Sequence, residues 1–139
     1  MLTTGVVQYL LAQTDITANV ANGNCIMPIP APADISLYPC ITYQVASDTV
    51  DAYTLADGED NLNKARIVFD CFVPTIKGGS YLKARYLALA IKKALSGYSG
   101  TLSDGTRVFI AEIVNASDGF QNDAMLSRST VHVMFTYQT

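Results

Sequence analysis

The chain has 139 residues, 50% of them apolar and only 15% charged, with nine Lys or Arg against twelve Asp or Glu and a formal net charge of −3. That balance excludes a wholly disordered chain, which needs low hydrophobicity, and argues against a free-standing nucleic-acid binder, which needs a basic face. The size predicts a single domain over residues 1–139, which the order of its elements makes α+β, and the sparse charge predicts that much of the surface lies against protein rather than water.

Cys25, Cys40 and Cys71 are odd in number and lack CxxC spacing, so a reducing interior is expected rather than a disulfide framework. No basic region followed by a long apolar run opens the chain, and no apolar run approaches about eighteen residues. Neither a signal peptide nor a membrane span is expected.

In chain order, Val6, Val7, Leu10 and Leu11 recur at helical spacing behind the candidate caps Thr3 and Thr4, predicting a helix over residues 4–14. Asn22-Gly23 and the alternate prolines Pro28, Pro30 and Pro32 make residues 15–38 a long connection, with room for a short strand around Cys25 to Met27. From Pro39 to about Ser47 the chain reads as a strand, Ile41, Tyr43 and Val45 on one face and Thr42 and Gln44 on the other. Residues 48–63 read as an acidic loop holding Asp48, Asp51, Asp57, Glu59 and Asp60. Ala65, Ile67, Phe69, Cys71 and Val73 then alternate as a strand that Pro74 ends.

The strongest helix signal spans Ser80 to Leu95, with Ser80 as candidate N-cap, Gly97 as candidate C-cap, and Lys92 and Lys93 where the helix dipole favours cations. Ala84, Leu87, Ala88, Ile91, Ala94 and Leu95 form one apolar stripe. Leu82, Tyr86 and Leu89 form a second, nearly opposite. A helix lying on a sheet needs one stripe, so the second predicts that another surface meets it. Ser103-Asp104-Gly105 marks a turn, Arg107 to Val114 a strand, Ala116 to Met125 a loop around Asp118-Gly119, and the alternation from Ser127 to Tyr137 a last strand. The order helix, strand, strand, helix, strand, strand predicts an antiparallel sheet of about four strands with both helices on one face.

Catalytic signals are poor. His132 is the one histidine, on an outward strand position, and Ser129 lies on the opposite strand face from it. The alternation of Cys71 with Phe69 and Ile67 places it in the core. No paired spacing supports zinc, and no D-x-[DN]-x-[DN]-G pattern supports calcium at Asp57, Glu59 and Asp60. Gly78-Gly79-Ser80 lacks the lysine of a phosphate loop. No metal and no cofactor is expected. Eight tyrosines, no tryptophan, low charge and a two-striped helix fit a subunit that buries surface on partners.

The helix type Val6-Val7-Gln8-Tyr9-Leu10-Leu11, the runs Pro39-Cys40-Ile41-Thr42-Tyr43-Gln44-Val45 and Ala65-Arg66-Ile67-Val68-Phe69-Asp70-Cys71-Phe72, the helix Ala84-Arg85-Tyr86-Leu87-Ala88-Leu89-Ala90-Ile91-Lys92-Lys93-Ala94-Leu95 leading to Gly97-Tyr98-Ser99-Gly100, and the closing Val133-Met134-Phe135-Thr136-Tyr137 follow one another in a familiar order. Nearly the whole chain resembles the tail completion, or tail-to-head joining, proteins of long-tailed bacteriophages and prophages, which are similar in fold to tail terminator proteins. The acidic 48–63 connection and the lack of tryptophan depart from the family pattern.

The resemblance implies a structural virion protein at the tail or neck, assembled in the bacterial cytoplasm. It implies a homo-oligomer, a hexameric ring, between the head connector or adaptor and the tail tube or terminator, with DNA only as passing cargo and no membrane. Leu82, Tyr86 and Leu89 become candidate interface residues, and Asp57, Glu59 and Asp60 a candidate channel-facing or tail-facing loop. Rival readings are a tail terminator or tube subunit, a non-catalytic small-molecule binding module roofed by the proline loop, and an enzyme using Cys25 or Cys40.

Overall fold

The computed structural model describes residues 2–52, 62–75, 78–121 and 125–138. Its elements are α1 (Leu2–Leu11), α2 (Thr14–Thr17), β1 (Ile26–Pro28), β2 (Cys40–Ala52), β3 (Leu62–Pro74), α3 (Ser80–Leu95), β4 (Gly100–Thr101), β5 (Arg107–Gln121) and β6 (Leu126–Gln138), with 3₁₀ turns at Ala21–Gly23 and Ile35–Leu37. The strands form one six-stranded sheet in the order β1-β2-β3-β6-β5-β4. Every neighbouring pair is antiparallel except β1, which runs parallel to β2.

This corrects the expected four-stranded sheet with two helices. Two short strands, β1 and β4, flank the four long ones, and the described residues hold three α-helices. β1 falls where a short strand is expected around Cys25 to Met27, whereas β4 is not among the expected elements; both are too brief to carry a periodic signal. They exist because a neighbouring long strand offers them a ladder.

The long strands outrun their apolar alternation because ladder hydrogen bonds continue where burial stops. β2 runs on through Asp48 to Ala52, paired with β3 at Asp48↔Ala65 and Ala52↔Leu62. The predicted loop from Ala116 is strand as far as Gln121, registered against β6 at Asp118↔Ser129 and Gly119↔Arg128. Asp118-Gly119 is therefore no turn. Gly119 is instead the point where the Arg128 side chain crosses the strand: a Cβ there would lie 2.8 Å from Arg128 Nη2. At the other end of the gap between the two strands, Met125 takes φ +52° immediately before β6.

α3 has the bounds its periodicity predicts. Of its first stripe, Ala84, Leu87, Ala88, Ile91 and Leu95 are buried against β6 and β3, and Ala94 is half-buried. The capping differs. Gly79 occupies the cap position without a side-chain bond, and Ser80 is already helical, its Oγ paired with Ser127 Oγ at 2.8 Å. Gly97, at φ +71°, takes the left-handed conformation that ends the helix, and its N–H donates to Ala111 O at 2.9 Å. α1 starts earlier than predicted, with Thr3 and Thr4 inside it, and residues 14–17 form the separate α2. Leu2, Val6 and Leu10 anchor α1, while Tyr9 Oη donates to Ala94 O at 3.1 Å and the Tyr9 ring meets Tyr98 at 4.5 Å.

The core centres on Phe69 and Phe135, with Ile41, Ile67, Cys71, Leu87, Ile91 and Val133 all buried; Tyr43 is only half-buried.

Candidate subunit interface

Leu82, Tyr86 and Leu89 face solvent, at 70%, 49% and 51% exposure. Spaced four and three residues apart on α3, they lie along one strip of the helix that borders two clefts. Leu82 and Tyr86, with Lys83, line an apolar groove of about 270 Å³ whose other wall is Asn19 and Pro39. Leu89 belongs to a second, more polar cleft with Arg85, Lys92, Ala116 and Asp118, between α3 and β5. Helix geometry sets which cleft each side chain borders. Tyr86 and Lys83 step round toward the β2 side, whereas Arg85 and Lys92 step toward β5, and Leu89 lies two turns beyond Leu82 along the axis.

A polar network fixes the β5 side. Asp118 Oδ2 accepts from Arg85 Nη1 at 2.8 Å and from Tyr81 Oη at 3.1 Å, and its Oδ1 accepts from Ser129 Oγ at 2.7 Å. The Ser129 hydrogen bond, against the opposing effect of burial, holds the Asp118 carboxyl below its ordinary value, with Tyr81 and Arg85 adding to it. Reading Asp118 as a turn residue conceals this network. The signal that points to it is the length of β6, whose alternation needs a partner strand of equal length.

The chemistry-bearing residues are spread through the fold. His132 lies opposite Val68 and Asn115, and Ser129 is three positions away on the other face, bonded to Asp118. Cys25, Cys40 and Cys71 are all buried free thiols. Cys25 Sγ donates to Leu37 O at 3.0 Å. Burial first, then Cys25, pushes the Cys40 thiol up, and burial first, then Asp70 and Cys40, pushes Cys71 up. Thiols so placed are poor nucleophiles.

Among the described residues no three of His, Cys, Asp and Glu gather as a metal site, and no helix is long and apolar enough to cross a membrane. Asp57, Glu59 and Asp60 lie outside the described residues.

Among the described residues, α3 turns Leu82, Tyr86 and Leu89 to solvent, and β2 and β5 each have a stretch paired on one side only. Residues 4–138 match the family model of tail completion protein gp17, and the chain belongs to that family. It is a structural, tail-related virion protein. No curated protein matches the sequence. Among solved structures, a chain from the virion of the native gene transfer agent (GTA) particle has a similar fold, with a TM-score of 0.71 and 17% identity. The match covers 99% of this chain and 95% of that one.

Proposed function

We propose that this protein is a ring subunit at the head–tail junction, completing the tail and joining it to the head connector. Family membership over residues 4–138 carries the reading. Two features support it. The exposed flanks of α3 supply apolar surface that a ring would bury, and a chain of similar fold lies within a gene transfer agent virion.

The ring is a hexamer of identical subunits, stacked between the connector or adaptor and the tube or terminator. It assembles in the bacterial cytoplasm and is carried in the neck of the particle. A net charge of −3 suits a channel wall that lets DNA pass without gripping it. Asp57, Glu59 and Asp60 contribute that charge toward the channel or the tail.

Light scattering across a tenfold concentration range and two salt levels tests the ring, with a species near six subunits expected. Deleting the gene from its particle tests the joint. Filled heads beside unattached tails are expected, with joining restored by this protein; complete particles in its absence would falsify the role.

A further inference from the structure

Each side of the sheet leaves a stretch of main chain unpaired among the described residues. β1 covers β2 only as far as Tyr43, whose carbonyl accepts from the Ile29 N–H at 3.2 Å. From Gln44 to Ala52, β2 is paired with β3 alone. On the other side, β4 covers Arg107 and Val108, and Gly97 and Tyr98 exchange backbone bonds with Ala111 at 2.9 Å. From Glu112 to Gln121, β5 is paired with β6 alone. Such edges are templates for another strand.

We propose that these edges meet: the Gln44–Ala52 edge of one copy adds to the Glu112–Gln121 edge of the next, in the cleft between α3 and β5. This rests on the ring reading and gives it a junction.

Three observations select the occupant. The first is direction. β2 is antiparallel to β3, β3 to β6 and β6 to β5, so β2 and β5 run oppositely within one chain. Copies related by rotation about a ring axis keep that relation, so the junction is antiparallel with every α3 on the same face.

The second is the face. Val45 is registered with Ile67, and Asp48 with Ala65, residues whose own partners in β6 are the buried Val133 and Phe135. Val45 and Asp48 thus share the α3 side of the sheet. In a continued sheet they arrive beside Leu89, Arg85 and Lys92, and both Val45 and Leu89 are exposed in the single chain.

The third is charge. Gln44–Ala52 carries Asp48 and Asp51 and no base; the receiving edge has its own acids, Glu112 and Asp118, but Arg85 holds Asp118 and Lys92 lines the same cleft. Pairing β2 with a second β2 would set acids against acids with no Arg85 or Lys92 beside them, which cross-strand neighbours disfavour.

Ala116→Pro tests the edge. The Ala116 N–H donates to Asn115 Oδ1 at 2.9 Å rather than to β6, so proline there removes no ladder bond but obstructs an incoming strand. Lys92→Glu tests the charge and leaves the backbone intact. Both should weaken association by about tenfold or more with the circular dichroism of the fold retained. If Ala116→Pro unfolds, Lys92→Glu decides by the same reading. In mixed unlabelled and ¹⁵N-labelled protein, carbodiimide should join Lys92 of one copy to Asp48 of another. An oligomer unaffected by Lys92→Glu, or one whose Lys92 links elsewhere, overturns the edge pairing and leaves the ring standing. A monomer at every concentration overturns both.

Discussion

Tyr137, two residues from the end of the chain, donates its hydroxyl to both carboxylate oxygens of Asp48, at 2.8 and 2.9 Å, across 89 positions of sequence. The bond spans β3 and ties the far end of β6 to the part of β2 that lacks an outer neighbour. Burial first, then Asp48, holds the Tyr137 hydroxyl well above the ordinary tyrosine range.

Tyr137→Phe removes that bond and leaves the core intact. A hydrogen bond to a charged group contributes about 1.5–3 kcal/mol; because Asp48 is exposed, a loss of about 1 kcal/mol is expected by urea unfolding. The folded state favours the neutral phenol, so its contribution is present below the ordinary tyrosine pKa of about 10 and is lost as pH rises through the raised folded value. Phenolate absorbance should therefore differ between wild type and Tyr137→Phe only above the ordinary tyrosine range. A difference at that range would show the hydroxyl to be free.

Leu82→Asp and Leu89→Asp should act separately. Both positions are exposed, so each variant should keep the thermal midpoint of the monomer within a few degrees. Because the two side chains lie in different clefts, each should lower the assembled fraction in light scattering alone, with the double variant lower still. Unchanged assembly in both would remove α3 from the interface.

Phe135→Ala should cost about 3–5 kcal/mol, a large share of a typical domain's stability. The ring is fully buried on the α3 side of β6, registered with the equally buried Ala65 and Ala111. A denaturant midpoint close to wild type would mean that the core closes over the gap.

The three thiols should resist an aqueous disulfide reagent in the native protein and react at once in denaturant. All three are buried, and burial disfavours the thiolate at Cys40 and Cys71. Rapid labelling of the native chain would contradict that packing.

The sequence by itself determined the parts whose side chains repeat with their own element. Ser80–Leu95 is legible as a helix because one stripe is needed to cover the sheet, and β3 and β6 are legible because alternate residues are buried on a common face. The exposure of Leu82, Tyr86 and Leu89 was legible for the same reason, as apolar positions left over once the core stripe is assigned. Tertiary structure alone decided the rest. β4 exists only through the edge of β5, and β1, though it falls where a short strand is expected around Cys25 to Met27, is held by the edge of β2. Asp118-Gly119 is strand rather than turn because β6 supplies the ladder and Ser129, Tyr81 and Arg85 supply partners for the carboxylate. The separation of Leu82 from Leu89 depends on which neighbour, Pro39 or β5, reaches each flank. Local periodicity reports what a residue buries within its own element. Backbone pairing and partners distant in sequence leave no such period, so they become visible only once the chain is folded.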